Sequence, residues 1–273
     1  MVKIDRLGWA AGIAFRAYGL RVGVRVTDAR VMPQVLELLP PGWKPAASPV
    51  VDFLYSLVIG GPVANSKIQP FHLAYVDAGR LARSKDLNYV LRHFESDLQM
   101  TVADNARRRV FVHAGVVGWN KSAIVIPGMS MSGKTTLVSK LIQAGATYYS
   151  DEYAVLDERG LVNPFPRPLG VRQEGNFETQ RIDVESFGGT SGVKPLPARL
   201  VISTKYQPGA TWRPRRLTTG RGVLELLANT VSARSQTKLA FATLPKAIKS
   251  AEILKGVRGE ADDVIDFILE KVA

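Results

Sequence analysis

Residues 128–136, GMSMSGKTT, set a glycine, four residues and then Gly133-Lys134-Thr135 at the spacing of a phosphate-binding loop, G-x-x-x-x-G-K-[ST]. The residue types fix the chemistry such a loop performs. Backbone amides between Gly128 and Lys134 can converge on a phosphate, because glycine allows positive φ and close approach. The N-terminus of a following helix adds positive partial charge. Lys134 would reach the β- and γ-phosphates, and the Thr135 hydroxyl would ligate Mg²⁺. Ser130, Ser132 and Thr136 either donate further hydrogen bonds or fill the loop with small side chains. Met129 and Met131 read as packing residues or as lining for the nucleotide base.

A phosphate loop only binds. Transfer chemistry also needs an acid near the metal and a group that activates the attacking atom. Asp151 and Glu152, in SDE, stand where a Walker-B-type carboxylate belongs, and alternation along a strand means the two need not point the same way. His113, in FVHAGVV, is the third candidate, although a histidine among apolar strand residues is, on its own, more often a core residue than a catalyst. With no cysteine and no HxxxH pair, the three scattered histidines make no transition-metal site.

These side chains are useful only if a strand precedes the loop and a helix follows it. RRVFVHAGVVGW and SAIVIPG are apolar, β-branched runs joined by the turn-like pair Asn120-Lys121, and the second feeds into the loop. After Lys134, Leu137, Val138, Leu141 and Ile142 recur at helical spacing, and Gly145 stands where a helix C-terminal cap is wanted. TYYSDEYAVLD reads as one further strand, turning at Glu158-Arg159-Gly160 into LVNPF.

Upstream, GLRVGVRV, VVDFLYSLVI and FHLAYVD read as strands and ARVMPQVLELLP as a short helix. A longer helix is expected from about Asp86 to Asn105, with Leu87, Val90, Leu91, Phe94, Leu98 and Val102 on one face. Residues 1–105 therefore form a small α/β lobe without assignable chemistry, and residues 106–273 carry the loop. Further on, RQEGNFETQRIDVESFGGTSGVKP is polar and glycine-bearing, a candidate mobile loop. ARLVIST reads as a strand, and RGVLELLANTVSA and ADDVIDFILEKVA as helices.

The chain's 46% apolar and 22% charged residues are ordinary globular values. The absence of cysteine removes disulfides, thiolate metal sites and a cysteine nucleophile, and fits a reducing cytoplasm. Net charge is +12, and residues 191–259 carry thirteen Lys and Arg against Glu225 and Glu252. Such a surface attracts anions or simply keeps the chain solvated. No interleaved aromatic pattern or helix-turn-helix signal points to nucleic acid. LGWAAGIAF is too short and too closely followed by Arg16 for a targeting segment, and reads as a buried local stretch. No window is apolar enough over its length to be a transmembrane segment.

Taken together, HAGVV, GMSMSGKT and SDE resemble the catalytic domain of HPr kinase/phosphorylase, over about residues 110–172. The resemblance implies a central mixed β-sheet around the phosphate loop, similar to the core of phosphoenolpyruvate carboxykinase. It implies ATP- and Mg²⁺-dependent transfer of the γ-phosphoryl group to a serine hydroxyl of a protein or peptide, in a hexameric or other ring-like homo-oligomer. Asp151 would then be the base that takes the serine proton, with His113 close enough to tune or assist it. Thr135, Asp151 and Glu152 would hold the metal. Glu152 stands where the family usually has an aspartate, and Met129 where it usually has an acid. PRPLGVRQEG occupies the place of the family's Glu-rich signature, offering Arg167, Arg172 and Glu174. The arginine that assists transfer would be Arg172 or one of Arg213, Arg215 and Arg216. Kinase activity alone is expected.

Two other readings stay open: a nucleotide-binding regulatory or assembly module with little catalysis, and a small-molecule kinase of the same fold. A GTPase is disfavoured because no N-K-x-D string follows the loop, and an ABC-type ATPase because no signature sequence lies between loop and acids.

Overall fold

The computed structural model describes residues 3–61, 70–129, 132–172 and 179–273. The chain is a mixed α/β protein whose contacts divide it into two units, Met1–Arg107 and Arg108–Ala273.

In the first unit, β1 (Ala11–Ala17), β2 (Leu20–Val26), β3 (Lys44–Pro45), β4 (Phe53–Val58), β5 (His72–Val76) and β6 (Gly79–Ser84) form one sheet. Its order is β3-β1-β2-β4-β5-β6, with β2 parallel to β4 and the other neighbours antiparallel. Besides the short α1 (Met32–Glu37), this unit has α2 (Leu87–Asn105), which starts at Asp86, whose carboxylate accepts from the Asn88 amide at 2.9 Å. Val90, Leu91, Phe94, Leu98 and Val102 are buried with Phe15, Val22, Tyr55 and Leu57 of the sheet, while Leu87 is only partly buried. The end of the apolar LGWAAGIAF stretch enters β1, which pairs with β2 along its full length. Only Phe15 of the stretch is buried and Leu7 is exposed, so it is an edge-region strand rather than the buried segment expected.

In the second unit, the chain runs β7 (Arg109–Trp119), β8 (Ser122–Pro127), α3 (Lys134–Gln143), β9 (Thr147–Ser150), β10 (Tyr153–Asp157), β11 (Val162–Asn163), β12 (Leu169–Arg172) and β13 (Thr179–Ile182). It continues through β14 (Ala198–Tyr206), β15 (Arg215–Arg216), α4 (Thr219–Ala228), α5 (Thr237–Ala247), β16 (Glu252–Arg258) and α6 (Ile265–Glu270). The main sheet is ordered β11-β10-β7-β8-β14-β16-β15, with β9 also on β7; β12 and β13 form a separate hairpin. Strands β8, β14 and β16 are parallel and the rest antiparallel, which makes the sheet mixed.

Alternation along the strands sorts the core into two layers. Ala123 and Val125 of β8 face Leu226 of α4 and Ala240 and Leu244 of α5. Ile124 and Ile126 face Leu137, Val138 and Leu141 of α3 and Ile265 and Ile268 of α6. The β7–β8 hairpin turns on Asn120 and Lys121 with φ of 45° and 59°, the two left-handed residues of a type I′ turn. Helix α3 ends in a Schellman cap: Gly145, at φ 95°, donates to Ile142 O at 2.9 Å, and Ala146 donates to Leu141 O at 3.0 Å.

Gly115 lets α3 lie directly on β7, because a Cβ there would come within 2.5 Å of Val138 Cγ2. Gly115→Ala should therefore destabilise the protein by about 1–3 kcal/mol through overpacking. Chemical denaturation measures it, and an unchanged midpoint would mean that α3 has room to move.

Three local expectations need correction. TYYSDEYAVLD is two strands, β9 and β10, broken at Asp151-Glu152, because the Ser150 hydroxyl caps the Glu152 amide at 3.1 Å and the Tyr153 amide at 2.9 Å. The polar stretch taken for a mobile loop contains the β12–β13 pairing and a 3₁₀ turn at Val184–Phe187; its residues 173–178 lie outside the described residues. The closing helix is shorter than its apolar pattern, a 3₁₀ turn at Asp262–Val264 followed by α6. Among the described residues, no helix is long and apolar enough to cross a membrane.

Candidate functional site

The phosphate-loop residues lie between the C-terminal end of β8 and the start of α3, the end of a parallel strand at which α/β sheets hold ligands. Gly128 begins the loop with its amide donating to the His113 carbonyl at 3.1 Å. A Cβ on Gly128 would meet Ser132 Oγ at 2.7 Å, so the loop closes this tightly only with glycine there. Gly133 is the N-cap of α3 at φ 84°, ψ 18°, left-handed geometry that disfavours side chains. Ser130 and Met131 lie outside the described residues. Ser132 Oγ is buried without a hydrogen-bond partner among the described residues, and Thr136 is exposed on the first turn of α3.

Lys134 is half-buried, and its ammonium donates to the Met129 carbonyl at 2.7 Å. Burial lowers its pKa, while the charges of Asp151 and Glu152 raise it. The Thr135 hydroxyl donates to Asp151 Oδ2 at 3.2 Å. With its proton committed to the carboxylate, that hydroxyl keeps its lone pairs for a cation.

The strand break delivers both acids to this place, with different environments. Asp151 is buried: Oδ2 also accepts from the Gly170 amide at 3.4 Å, and Oδ1 lies 2.9 Å from the Tyr148 hydroxyl. That hydroxyl is also 2.8 Å from the Arg167 carbonyl oxygen, so its one proton serves two acceptors. Burial raises the Asp151 carboxyl above its ordinary range, against the pull of these donors.

Glu152 keeps half of its side chain in solvent and accepts from Arg167 Nη1 at 2.6 Å. Its carboxyl is nevertheless pushed up to about 7, first by desolvation in a crowded corner and then by Asp151, with Arg181 and Lys134 opposing. Arg167 is largely enclosed; burial and then the Arg181 charge lower its pKa to about 10, which leaves it a cation at neutral pH. Two adjacent carboxylates thus have distinct surroundings, one enclosed and engaged at both oxygens, one open and more basic than usual.

His113 pairs with Tyr153 in the β7–β10 register, and their rings are 4.9 Å apart at 35°. Burial, then the Lys134 charge, lower the imidazole pKa, which favours the neutral ring. The next residue, Ala114, donates its amide to the Glu152 carbonyl at 3.1 Å. The structure therefore brings His113, Lys134, Thr135, Asp151 and Glu152 into one neighbourhood.

The arginines fall elsewhere than expected. The backbone of Arg172 ends β12, but its side chain, like Glu174, lies outside the described set. Arg215 and Arg216 form the exposed edge strand β15, opposite Lys255 and Leu254, and Arg213 lies in the exposed approach to it. Arg167, named by the sequence only as one of several basic residues, is the arginine bound to an acid of the pair. Arg258, which the sequence does not single out at all, is 2% exposed and donates Nη2 to the Gly133 carbonyl at 2.8 Å. A basic residue closing a short run broken by Lys255 and Gly256, EILKGVR, carries no mark of burial in the sequence.

Among the described residues, no group of three or more His, Cys, Asp and Glu side chains could hold a metal. Any cation held here would share its coordination with phosphate oxygens, as Mg²⁺ does when bound through one or two protein groups. No family model matches the chain, and no curated protein matches it significantly.

Proposed function

We propose that the chain is a phosphotransferase with an HPr-kinase-like phosphate-loop core, which transfers the γ-phosphoryl group of ATP to a hydroxyl, foremost a serine of a protein or peptide. The observation that carries this reading is the Thr135–Asp151 hydrogen bond at 3.2 Å beside Lys134, with the more basic Glu152 one residue along. Binding needs only the first three; a second carboxylate in a different environment gives the site an acid–base partner.

The residues fit a nucleotide polyphosphate and Mg²⁺. The Ser132 hydroxyl, unpartnered among the described residues, and the left-handed Gly133 suit an anion at the start of α3, and Thr135 with Asp151 suits a hard cation. When bound, Mg²⁺ would offset phosphate charge as the terminal P–O bond breaks.

The chain's own residues divide the remaining work. Lys134 leaves the Met129 carbonyl for the phosphate oxygens and stabilises their charge. Asp151, with both oxygens engaged, orients Thr135 rather than meeting the acceptor. Glu152, open to solvent, takes the acceptor hydroxyl proton as its oxygen attacks the γ-phosphorus, and the ADP oxygen departs. Neutral His113 lies against Tyr153 and keeps that corner from gathering another positive charge. Assigning the base role to Glu152 departs from the carry-over to Asp151.

Incubation with Mg·ATP and serine-bearing peptides, read by mass spectrometry, tests the function. Phosphorylated peptide is expected, whereas tight ATP binding without product favours a binding module. The base assignment predicts a pH profile. Glu152 must be deprotonated, so kcat/KM should rise with unit slope below about pH 7 and level off above it. A profile flat from pH 5 to 9 would remove the assignment.

A further inference from the structure

Arg258 presents an energetic difficulty that the reading above does not use. It ends β16 at 2% exposure, and its hydrogen bonds go to two neutral carbonyls: Nη2 to Gly133 O at 2.8 Å and Nη1 to Gly259 O at 2.9 Å. Its Nε has no partner among the described residues. The nearby carboxylate of Glu260 accepts instead from the Tyr206 hydroxyl at 2.8 Å, while the Arg258 guanidinium stands 5.7 Å from the Tyr206 ring centre. Glu260 reaches the guanidinium through space only, without a hydrogen bond, and an enclosed cation so weakly compensated is costly unless a further anion comes to the same place.

The geometry says which place. Tyr206 and Arg258 are register partners at the C-terminal ends of the parallel strands β14 and β16. The Tyr206 amide donates to the Ser132 carbonyl, a long bond of 3.4 Å, and Arg258 holds the next carbonyl, Gly133. Gly133 O also accepts the Leu137 amide at 3.1 Å, so both its lone pairs are engaged. In a trans peptide the carbonyl and the following N–H point in opposite directions. Drawing the Ser132 and Gly133 oxygens toward β14 and β16 therefore turns the Gly133 and Lys134 amides the other way, into the loop. Two successive amides on one side form an anion-binding nest. A guanidinium on the carbonyl side also polarises that peptide and strengthens its N–H as a donor. A Cβ at Gly133 would lie 2.6 Å from Arg258 Nη2, so the two residues are fitted to each other.

We propose that Arg258 is a positioning residue of the phosphate loop, which aims the Gly133–Lys134 peptide and lends its charge to the bound polyphosphate. The proposal rests on the phosphate-loop reading but not on catalysis. Its test is therefore binding of Mg·ATP and of inorganic tripolyphosphate by calorimetry, with melting curves in the presence and absence of tripolyphosphate.

Arg258→Met should weaken tripolyphosphate at least tenfold while leaving the ligand-free melting temperature unchanged or higher, since an enclosed charge has been removed. A side chain that merely supports the fold would give the reverse, a lower melting temperature with affinity intact, and that result overturns the proposal while leaving nucleotide binding in place. Arg258→Gln, which keeps a donor without the charge, should recover part of the affinity. It also carries the test if Arg258→Met fails to fold, and full affinity in that variant would sink the charge role. If the unaltered protein binds neither probe, the phosphate-loop reading and the proposal fall together.

Discussion

Lys134→Ala should bind Mg·ATP at least tenfold more weakly and lose roughly 10²–10³-fold in turnover, the scale on which removal of one preorganised charge-stabilising donor is felt. The ammonium is half-buried, held on the Met129 carbonyl at 2.7 Å and drawn by two carboxylates one short strand away. No other lysine occupies the loop, so alanine leaves the developing charge without a direct cation. The stability change should be small, because the ammonium's one hydrogen bond among the described residues is to a main-chain oxygen of an exposed residue. Calorimetry and a product assay on the same preparation separate binding from transfer. Turnover at the original rate in Lys134→Ala would end the phosphotransfer reading.

The second large effect lies in the contrast between the two acids. Glu152→Gln should lose about 10²–10⁴-fold in turnover, the usual contribution of a positioned general base, while nucleotide affinity stays within about twofold. It removes an open carboxylate and keeps its shape, and Arg167 retains an oxygen to bind. Asp151→Asn should behave differently. Its new NH₂ must face either the Tyr148 hydroxyl or the Thr135 hydroxyl and Gly170 amide, and in the second case donor meets donor. That variant should need more Mg²⁺ for half-maximal activity, because Thr135 loses its anchor. If Asp151→Asn alone abolishes transfer while still binding Mg·ATP as the unaltered protein does, and Glu152→Gln turns over normally, Asp151 is the base.

Local chemistry with a unique geometric demand was the legible part of this sequence. Gly133, the Asn120-Lys121 turn and the Gly145 cap each answer to a backbone conformation that few residues adopt, so residue type and position reveal them. Helix α2 was legible because its apolar stripe runs long enough to be unmistakable as a period. What failed had no local signature. The break between β9 and β10 depends on one serine hydroxyl capping two amides, inside a run that alternates well enough to read as continuous. Helix α5 was missed because Pro245 interrupts its propensity, although tertiary contacts of Leu244 and Ala247 hold it. Strand β16 was missed because Lys255-Gly256 dilutes its apolar pattern, and Arg258 went with it. The hairpin β12–β13 pairs away from the main sheet, and although Leu169 is buried, LGVR and TQRI are too short and mixed for periodicity to register.

Strand β7 links the two halves of the site through one peptide group: its carbonyl, of His113, anchors the first loop glycine, and its amide, of Ala114, anchors the Glu152 carbonyl. The separation between cradle and carboxylates is thus inherited from a single peptide unit and is independent of the length of chain joining them. Insertions after α3 or at the turn near Gly160 should be tolerated in descendants of this chain, since neither alters the β7 peptide that holds both anchors. One residue added within 112–115 would displace the cradle and the acids at a stroke, so this short stretch is where indels are least affordable.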